Sequence, residues 1–234
     1  IDLQGAQTAS RYRGIGRYSI SLAKSIAKNC RNHEILIVGN ATLDEKDPHA
    51  FESFEGILPP AQILNFSTPS QISADNIQNR WRTQAAELVR EDFLRNLNAD
   101  IVFVSSLFEG GLDDACISVG CLSTDAISSA SLYDLIPMTD PEKYLGTPWT
   151  RDWYLKKIEY LQKFEQLLSI SEFSKLQAQQ LLGINPSKIV NISTACDEIF
   201  KPQDSSHEAE WELRSRYGVR SKLIMCSGAL GERK

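Results

Sequence analysis

Short apolar runs alternate with longer amphipathic stretches along most of the chain. The apolar runs predict strands at IDL, EILIVG, AQILNF, DIVFVSS, ISSASLYDLIP, LLSIS and KIVNIS. Apolar residues spaced three and four apart predict helices from about residue 16, over residues 74–97, over 149–166, and over EFSKLQAQQLL up to Gly183. This alternation is typical of βαβ units, so the sequence predicts an α/β fold with a doubly wound, mainly parallel sheet.

The composition of the sequence changes after Phe200. The segment KPQDSSHEAE is polar, contains a proline and has no apolar period, which indicates a linker. We therefore expect one domain over residues 1–200, followed over residues 201–234 by a linker and the first strand of a second domain. That strand is predicted at KLIMCSG, after a short helix at EWELRSRYG. Because a lone strand cannot bury its faces, a strand added to the first domain is the alternative.

Charge and cysteine usage exclude several classes of protein. The net charge of −5, from 25 basic and 30 acidic residues, gives no overall attraction to nucleic acid. The five cysteines form no C-x-x-C pair, which fits a reducing compartment and buried thiols rather than a zinc or disulfide framework. No apolar run reaches the roughly 18–20 residues that span a bilayer, and no basic-then-apolar leader is seen, so a cytoplasmic location is expected.

The stretch RYRGIGRYS follows the first predicted strand and leads into a helix. In a doubly wound fold, ligands bind at the carboxyl ends of the strands, and the free N–H groups of a helix start attract anions. Gly14 and Gly16 would let the backbone approach a ligand, while Arg13 and Arg17 could supply charge to a phosphate or a sugar acid. Alternatively, the two glycines only permit a tight turn beside solvated arginines.

Two common nucleotide-binding motifs do not fit this stretch. A nicotinamide site requires a third glycine and an acidic residue after the second strand, but the chain has Ser19 and Asn40 at those places. A P-loop fails as well, because no Gly-Lys-Ser or Gly-Lys-Thr follows. An oxidoreductase function is therefore disfavoured.

Five stretches together resemble a known family. They are RGIGRYSISLAKSIA, LYDLIP, SISEFSK, LGINPSKIVNISTACDEIFKP and SGALGERK. Their order and rough spacing resemble those of the retaining family 4 glycosyltransferases of the GT-B fold, in particular bacterial enzymes that add mannose or related sugars to surface polysaccharides. The chain resembles the N-terminal, acceptor-side domain of such an enzyme, with the start of its donor-binding domain.

The resemblance implies two Rossmann-like domains that face each other across a cleft. Such an enzyme moves a hexose from a nucleotide-diphosphate sugar to a saccharide or lipid-linked acceptor with retention of configuration, and it needs no metal or other cofactor. Its donor-binding glutamate pair belongs to the C-terminal domain, which these 234 residues lack, so we expect the chain alone to be inactive. A non-catalytic partner subunit that binds a saccharide or a nucleotide is the alternative.

The resemblance also assigns residues to the cleft. The basic pair Arg233 and Lys234 matches residues that neutralise the donor diphosphate. Four residues of the glycine loop are implied to line the cleft near the diphosphate and the acceptor: Gly14, Ile15, Gly16 and Arg17.

Three further residues are candidates for chemistry or substrate binding. The family often has His-Asp within LYDLIP, where this chain has Tyr133 and Asp134. Asp134 would orient backbone or sugar hydroxyls, or it caps a turn at the end of a strand. Glu109 follows the fourth predicted strand beside two glycines and could accept hydrogen bonds from acceptor hydroxyls. The alternative for Glu109, which we favour, is a solvated loop charge.

The predicted helix over residues 149–166 carries aromatic residues on one face, at Trp149, Trp153, Tyr160 and Phe164. Lysines lie beside this aromatic face. One interpretation of the pattern is therefore a peripheral contact with the inner membrane face. Packing in the core is the other interpretation, and we favour it.

Overall fold

The structure is a computed structural model that describes residues 1–30, 32–44, 49–196, 200–201 and 206–224. It divides into two compact units, one spanning Ile1–Ala195 and the other beginning at Cys196. The domain boundary expected at residue 200 stays a prediction. The second unit contains helix α8 (His207–Arg216). Residues 222–224 have no regular structure, and the rest of the strand predicted at KLIMCSG lies outside the described residues.

The first unit alternates strands with helices, as the apolar pattern predicted. Its strands are β1 (Ile37–Asn40), β2 (Ile63–Phe66), β3 (Ile101–Val104), β4 (Ile127–Leu132), β5 (Gln166–Ser169) and β6 (Ile189–Asn191). Its helices are α1 (Gly14–Asn29), α2 (Ala41–Asp44), α3 (Arg80–Asn96), α4 (Ile136–Thr139), α5 (Pro141–Tyr144), α6 (Pro148–Lys163) and α7 (Glu172–Leu182). Short 3-10 turns lie at Gln4–Gln7, Ala9–Tyr12, Glu52–Phe54, Pro60–Gln62, Ile77–Asn79 and Pro186–Lys188.

The six strands found in the described residues are parallel and, together with residues 1–3, form one continuous layer. β1 pairs with β2, and β3, β4, β5 and β6 pair in that order. Residues 1–3 join the two groups, because Asp2 pairs in parallel with Val38 on one side and Val104 on the other. The chain therefore adds strands outward on one side of residues 1–3, then returns to add the rest on the other side. That reversal is the doubly wound topology, and the predicted fold class is confirmed.

Some predicted element bounds shift for local reasons. The helix predicted from residue 74 begins at Arg80, because residues 77–79 form a 3-10 turn first. The strand predicted over ISSASLYDLIP ends at Leu132, and the proline opens the short helix α4 instead. Helix α7 ends at Leu182, and Gly183 closes it as predicted, with a left-handed φ of 64° that favours glycine at this place.

The crossover between β3 and β4, residues 105–126, contains no helix, although much of it is buried. Its backbone groups are therefore paired with side chains from α3 and α6. Arg90 donates to the carbonyl of Ser118 at 2.9 Å, and Lys157 donates to the carbonyl of Ile117 at 2.8 Å. Glu91 accepts from the N–H groups of Cys121 and Leu122, at 2.7 and 2.8 Å. This pairing explains why charged side chains lie buried on these two helices.

A buried ion pair ties α3 to the centre of the sheet. Nη2 of Arg90 lies 2.6 Å from Oδ2 of Asp2, and the two side chains are 1% and 0% exposed. Asp2 also accepts from the side-chain amide of Gln4, at 3.0 Å. Gln4 in turn exchanges two hydrogen bonds with the backbone of Cys116, at 2.8 and 2.9 Å. One polar cluster thus joins the central strand, α3 and the crossover.

The aromatic face of α6 packs mainly inward. Tyr160 and Phe164 are buried in a core cluster that includes side chains from β3, β4 and β5, and Trp153 packs against that cluster. Core packing, the interpretation favoured from the sequence, is therefore what the structure shows for these three side chains. The expectation that the cysteines are buried is wrong for Cys121 and Cys196, which are exposed.

Candidate functional site

The reversal of strand order lies between residues 1–3 and β3, and ligands of doubly wound folds bind beside such a reversal. Two loops leave the carboxyl ends of these neighbouring strands. The first spans residues 4–13 and leads into α1; the second opens the crossover with residues 105–111. The candidate residues Gly14, Gly16 and Glu109 lie on or directly after these loops.

The first loop brings the chain to an open helix start. It forms two 3-10 turns, and Arg13 precedes α1 without a side-chain capping bond to the helix. Gly14 and Ile15 are exposed, as are Arg13 and Arg17. Because the first N–H groups of a helix have no partner within the helix, this start can accept an anion, and the two arginines add positive charge beside it.

The two glycines of the loop have different surroundings. A Cβ placed on Gly14 would meet nothing within 4 Å. A Cβ placed on Gly16 would lie 2.2 Å from the carbonyl oxygen of Ser10 and 2.4 Å from Cα of Arg11. Gly16 therefore lets the first turn of α1 rest directly on the backbone of the preceding 3-10 turn. This packing accounts for a glycine at position 16, and its predicted place in the cleft stays a prediction.

Glu109 is buried between the two loops, with only 4% of its surface exposed. One carboxylate oxygen accepts from the hydroxyl of Ser106 at 2.7 Å. The other accepts from the hydroxyls of Thr8 at 3.2 Å and Ser10 at 3.0 Å. The solvated loop charge considered for Glu109 is therefore wrong, and this carboxyl joins the loop before α1 to the loop after β3.

Burial controls the ionisation of this carboxyl. Loss of water around Glu109 raises its pKa to about 7, and the nearby charge of Asp113 acts in the same direction. The three hydroxyl donors act in the opposite direction without cancelling the effect of burial. Near neutral pH, a substantial fraction of Glu109 is therefore the uncharged acid.

Tyr133 lies just beyond the end of β4 and is held by α1 and by the end of β3. Its hydroxyl donates to the carbonyl of Ser105 at 3.1 Å and lies 3.1 Å from the hydroxyl of Ser19. The ring of Tyr18 meets the Tyr133 ring edge to face, with centroids 6.0 Å apart. Burial raises the pKa of Tyr133 to about 12, so its hydroxyl stays protonated at neutral pH. Its catalytic role stays a prediction.

The remaining candidates lie apart from this contact network or outside the described residues. Asp134 is exposed, and its carboxylate accepts from the N–H of Ile136 at 3.2 Å, which is the turn-capping contact considered for it. Arg233 and Lys234 lie outside the described residues. The structure thus brings Gly16, Glu109 and Tyr133 together and leaves the role of Asp134 a prediction.

The hydroxyl-bearing residues that connect these candidates were missed in the sequence. Thr8, Ser10, Ser19 and Ser106 make the hydrogen bonds to Glu109 and Tyr133. For Thr8, Ser10 and Ser106, the signal that could have found them is the placement of small hydroxyl residues at or after the ends of two predicted strands; Ser19 lies within α1 and has no such signal. Such residues are common in loops, however, so the signal is weak without the topology.

The end of β1, which is the second strand predicted from the sequence, does not support a nicotinamide site. The strand ends at Asn40, an amide, whose N–H donates to the side chain of Gln7 at 2.8 Å. The side-chain amide of Asn40 donates to the hydroxyl of Thr68 at 3.0 Å. Among the described residues, the amide of Asn40 stands where a nicotinamide site would need an acidic side chain to hold the ribose, so the oxidoreductase interpretation is weakened further.

Within the described ranges, no group of three or more His, Cys, Asp or Glu side chains could hold a metal ion. No helix in the part of the chain that the structure describes is both long and apolar enough to cross a membrane. A cavity of about 470 Å³ lies at the amino ends of β3 and β4, beside Val102, Ser128 and Phe164. It is at the end of the sheet opposite the two loops, and the candidate residues do not line it.

The fold and these loops define a doubly wound α/β domain in which an uncapped helix start, with exposed Arg13 and Arg17 beside it, lies at the reversal of the sheet. Comparison with known proteins gives a more particular likeness. The chain is 29% identical to a serotype-specific mannosyltransferase WbdA of Escherichia coli, in an alignment of 236 positions that covers the whole chain. Two further Escherichia coli proteins of that name are each 26% identical over 91% of this chain. The resemblance to bacterial mannosyltransferases predicted from the motifs is confirmed.

These relatives are much longer than the chain, which spans 28%, 26% and 26% of their lengths. No family model matches the chain. Among solved structures, a glycosyltransferase from Rickettsia africae ESF-5 is similar with a TM-score of 0.48 and 15% identity, over 92% of this chain and 48% of that one.

Proposed function

We propose that this chain forms the acceptor-side part of a glycosyltransferase that moves mannose from a nucleotide-diphosphate sugar to a saccharide or lipid-linked acceptor, in surface polysaccharide synthesis. The observation that carries this proposal is the similarity to the WbdA mannosyltransferases along the whole chain. Transfer with retention of configuration, and without a metal ion, belongs to the same proposal. So does a cytoplasmic location with a peripheral contact at the inner membrane face.

The geometry of the loops supports a role in holding an anionic donor. A nucleotide-diphosphate sugar carries its negative charge next to the bond that breaks, and the leaving diphosphate gains charge during transfer. The open start of α1 and the guanidinium groups of Arg13 and Arg17 would stabilise that charge. Gly14 and Ile15 would present backbone N–H groups to it. In the whole protein, Arg233 and Lys234 would add further positive charge.

A donor screen of the full-length protein tests the proposal. We expect nucleoside diphosphate release from GDP-mannose in the presence of a glycolipid acceptor extract, and release from UDP-glucose instead would contradict mannose as the transferred sugar. The release should survive EDTA, and NMR of the product should show the anomeric configuration of the donor. A folded protein that releases diphosphate from none of these donors would contradict the proposal and favour the non-catalytic binding subunit.

Arg17→Ala should raise the KM for the sugar donor by about tenfold, because a charged hydrogen bond to the diphosphate is lost. Lys28→Ala is the matched control, since Lys28 is exposed in the last turn of the same helix. The measurement is the initial rate of transfer against donor concentration for both variants of the full-length protein. An equal effect of the two substitutions would show that Arg17 does not contact the donor.

A further inference from the structure

The buried carboxyl of Glu109 connects two loops that are far apart in the sequence. Thr8 and Ser10 reach it from the loop before α1, and Ser106 reaches it from its own loop after β3. The space around the carboxyl is tight, since a Cβ placed on Gly5 would lie 3.2 Å from Oε1 of Glu109. The three hydroxyl contacts occupy both carboxylate oxygens.

Ser10 links this carboxyl to the start of α1. Its side chain donates to Glu109. Its carbonyl oxygen would lie only 2.2 Å from a Cβ placed on Gly16. The N–H of Arg13, which precedes the helix, donates to the same carbonyl at 2.9 Å. A shift of Ser10 would therefore move the backbone on which the first turn of α1 rests.

We propose that Glu109 is a positioning residue that fixes the start of α1 through Thr8 and Ser10, so that the helix N–H groups are aimed at the donor diphosphate. The aim at the diphosphate rests on the proposed function; the fixing of the helix start does not. This role differs from the direct contact with acceptor hydroxyls predicted from the sequence.

The role requires two hydrogen-bonding atoms at the end of this side chain, which can accept from or donate to the surrounding hydroxyls, and it does not require a charge. Burial holds the pKa of Glu109 at about 7, so its charged and uncharged forms are both populated near neutral pH. The titratable groups that face it are Asp113 on its own loop and Tyr133 from the end of β4. Since hydroxyl donors can rotate to suit their partner, the amide of glutamine can replace either form of the carboxyl.

Hydrogen–deuterium exchange of the full-length protein tests the fixing of the helix start. Glu109→Ala should speed exchange in residues 8–17 by about tenfold or more, because the hydrogen bonds that Thr8 and Ser10 donate to Glu109 are lost. Glu109→Gln should stay within about twofold of the unsubstituted protein. If Glu109→Ala does not fold, Ser10→Ala removes one of the contacts and should speed exchange in the same segment by about threefold.

Asp113→Ala is the matched control for these variants. Asp113 lies on the same loop, but its carboxylate accepts only from the N–H groups of Gly110 and Ala115 among the described residues, at 3.1 and 2.9 Å. Its removal should speed exchange in residues 110–115, which include the two N–H groups that it holds, and leave residues 8–17 unchanged. Two results would overturn the proposal: no faster exchange of residues 8–17 in Glu109→Ala, or an equally large increase there in Asp113→Ala, since a general loosening of the loop would explain the latter.

Donor kinetics test the consequence for catalysis. Glu109→Ala should lower kcat/KM for GDP-mannose, or for the donor found in the screen, by about tenfold to a hundredfold. Glu109→Gln should recover the value to within about threefold, since the helix start stays in place. A loss as large in Glu109→Gln as in Glu109→Ala would overturn the proposal, because the carboxylate itself would then be required. If the unsubstituted protein transfers no sugar, the proposed function fails, and the exchange experiment still decides the positioning role.

Discussion

Replacing Arg90 with methionine is expected to lower the free energy of unfolding by about 3–5 kcal/mol, since it leaves a buried carboxylate without its partner. Arg90 and Asp2 are both shielded from solvent, and Oδ2 of Asp2 lies 2.6 Å from Nη2 of Arg90. The carbonyl of Ser118 would lose its donor in the same step. Methionine keeps much of the volume of the side chain, so the cost arises mainly from the unpaired charge and the unsatisfied carbonyl.

Urea denaturation of the unsubstituted protein and the variants measures this cost. Arg95→Met is the matched control, because Arg95 lies on the same helix and pairs with Asp92 at the surface. Its loss should cost less than about 1 kcal/mol. Adding Asp2→Asn to Arg90→Met should recover part of the stability, since the unpaired charge is then removed. A loss no larger for Arg90→Met than for Arg95→Met would contradict the role given to the buried pair.

The order of elements could be predicted because each one depends on a local pattern. Apolar runs mark the strands, three-and-four spacing marks the helices, and Gly183 stops α7 in the left-handed conformation that glycine adopts readily. The end of β4 was harder to predict. The apolar run continues through LYDLIP, but the proline begins α4, so hydrophobicity alone extends the strand too far.

The burial of charged side chains could not be predicted from local patterns. Arg90 and Lys157 are paired with the backbone of the helix-free crossover, over sequence separations of 28 and 40 residues. Glu109 is separated by 99 residues from Ser10 and by 101 from Thr8. A periodicity argument places such residues in solvent, since it contains no information about partners that the topology brings together. This is why the sequence favoured a solvated Glu109.

In the glycine loop, too, local sequence patterns do not reveal contacts between residues. Its position at a strand-to-helix junction was predictable, whereas its binding of an anion stays a prediction. The sequence could not separate a glycine that packs against backbone from one that stays open. The structure separates them, since Gly16 rests on Ser10 and Arg11 while Gly14 meets nothing within 4 Å.

Gly16→Ala is therefore expected to lower the free energy of unfolding by about 2–3 kcal/mol, although helix propensity alone predicts a gain of about 1 kcal/mol. The added methyl group would lie 2.2 Å from the Ser10 carbonyl oxygen and 2.4 Å from Cα of Arg11. Both atoms belong to the backbone, so no side chain can rotate away to relieve the overlap. The 3-10 turn must move, and with it the side chain of Ser10 that donates to Glu109.

Gly14→Ala adds the same methyl group but should change the free energy of unfolding in the opposite direction. It is therefore the matched control for stability. Position 14 begins the same helix and is open, so alanine there should be neutral or stabilise the fold by up to about 1 kcal/mol. Urea denaturation of both variants provides the comparison. If Gly16→Ala were as stable as Gly14→Ala, the start of α1 would not rest on the Ser10 backbone. The route by which Glu109 fixes the helix would then lose its physical basis.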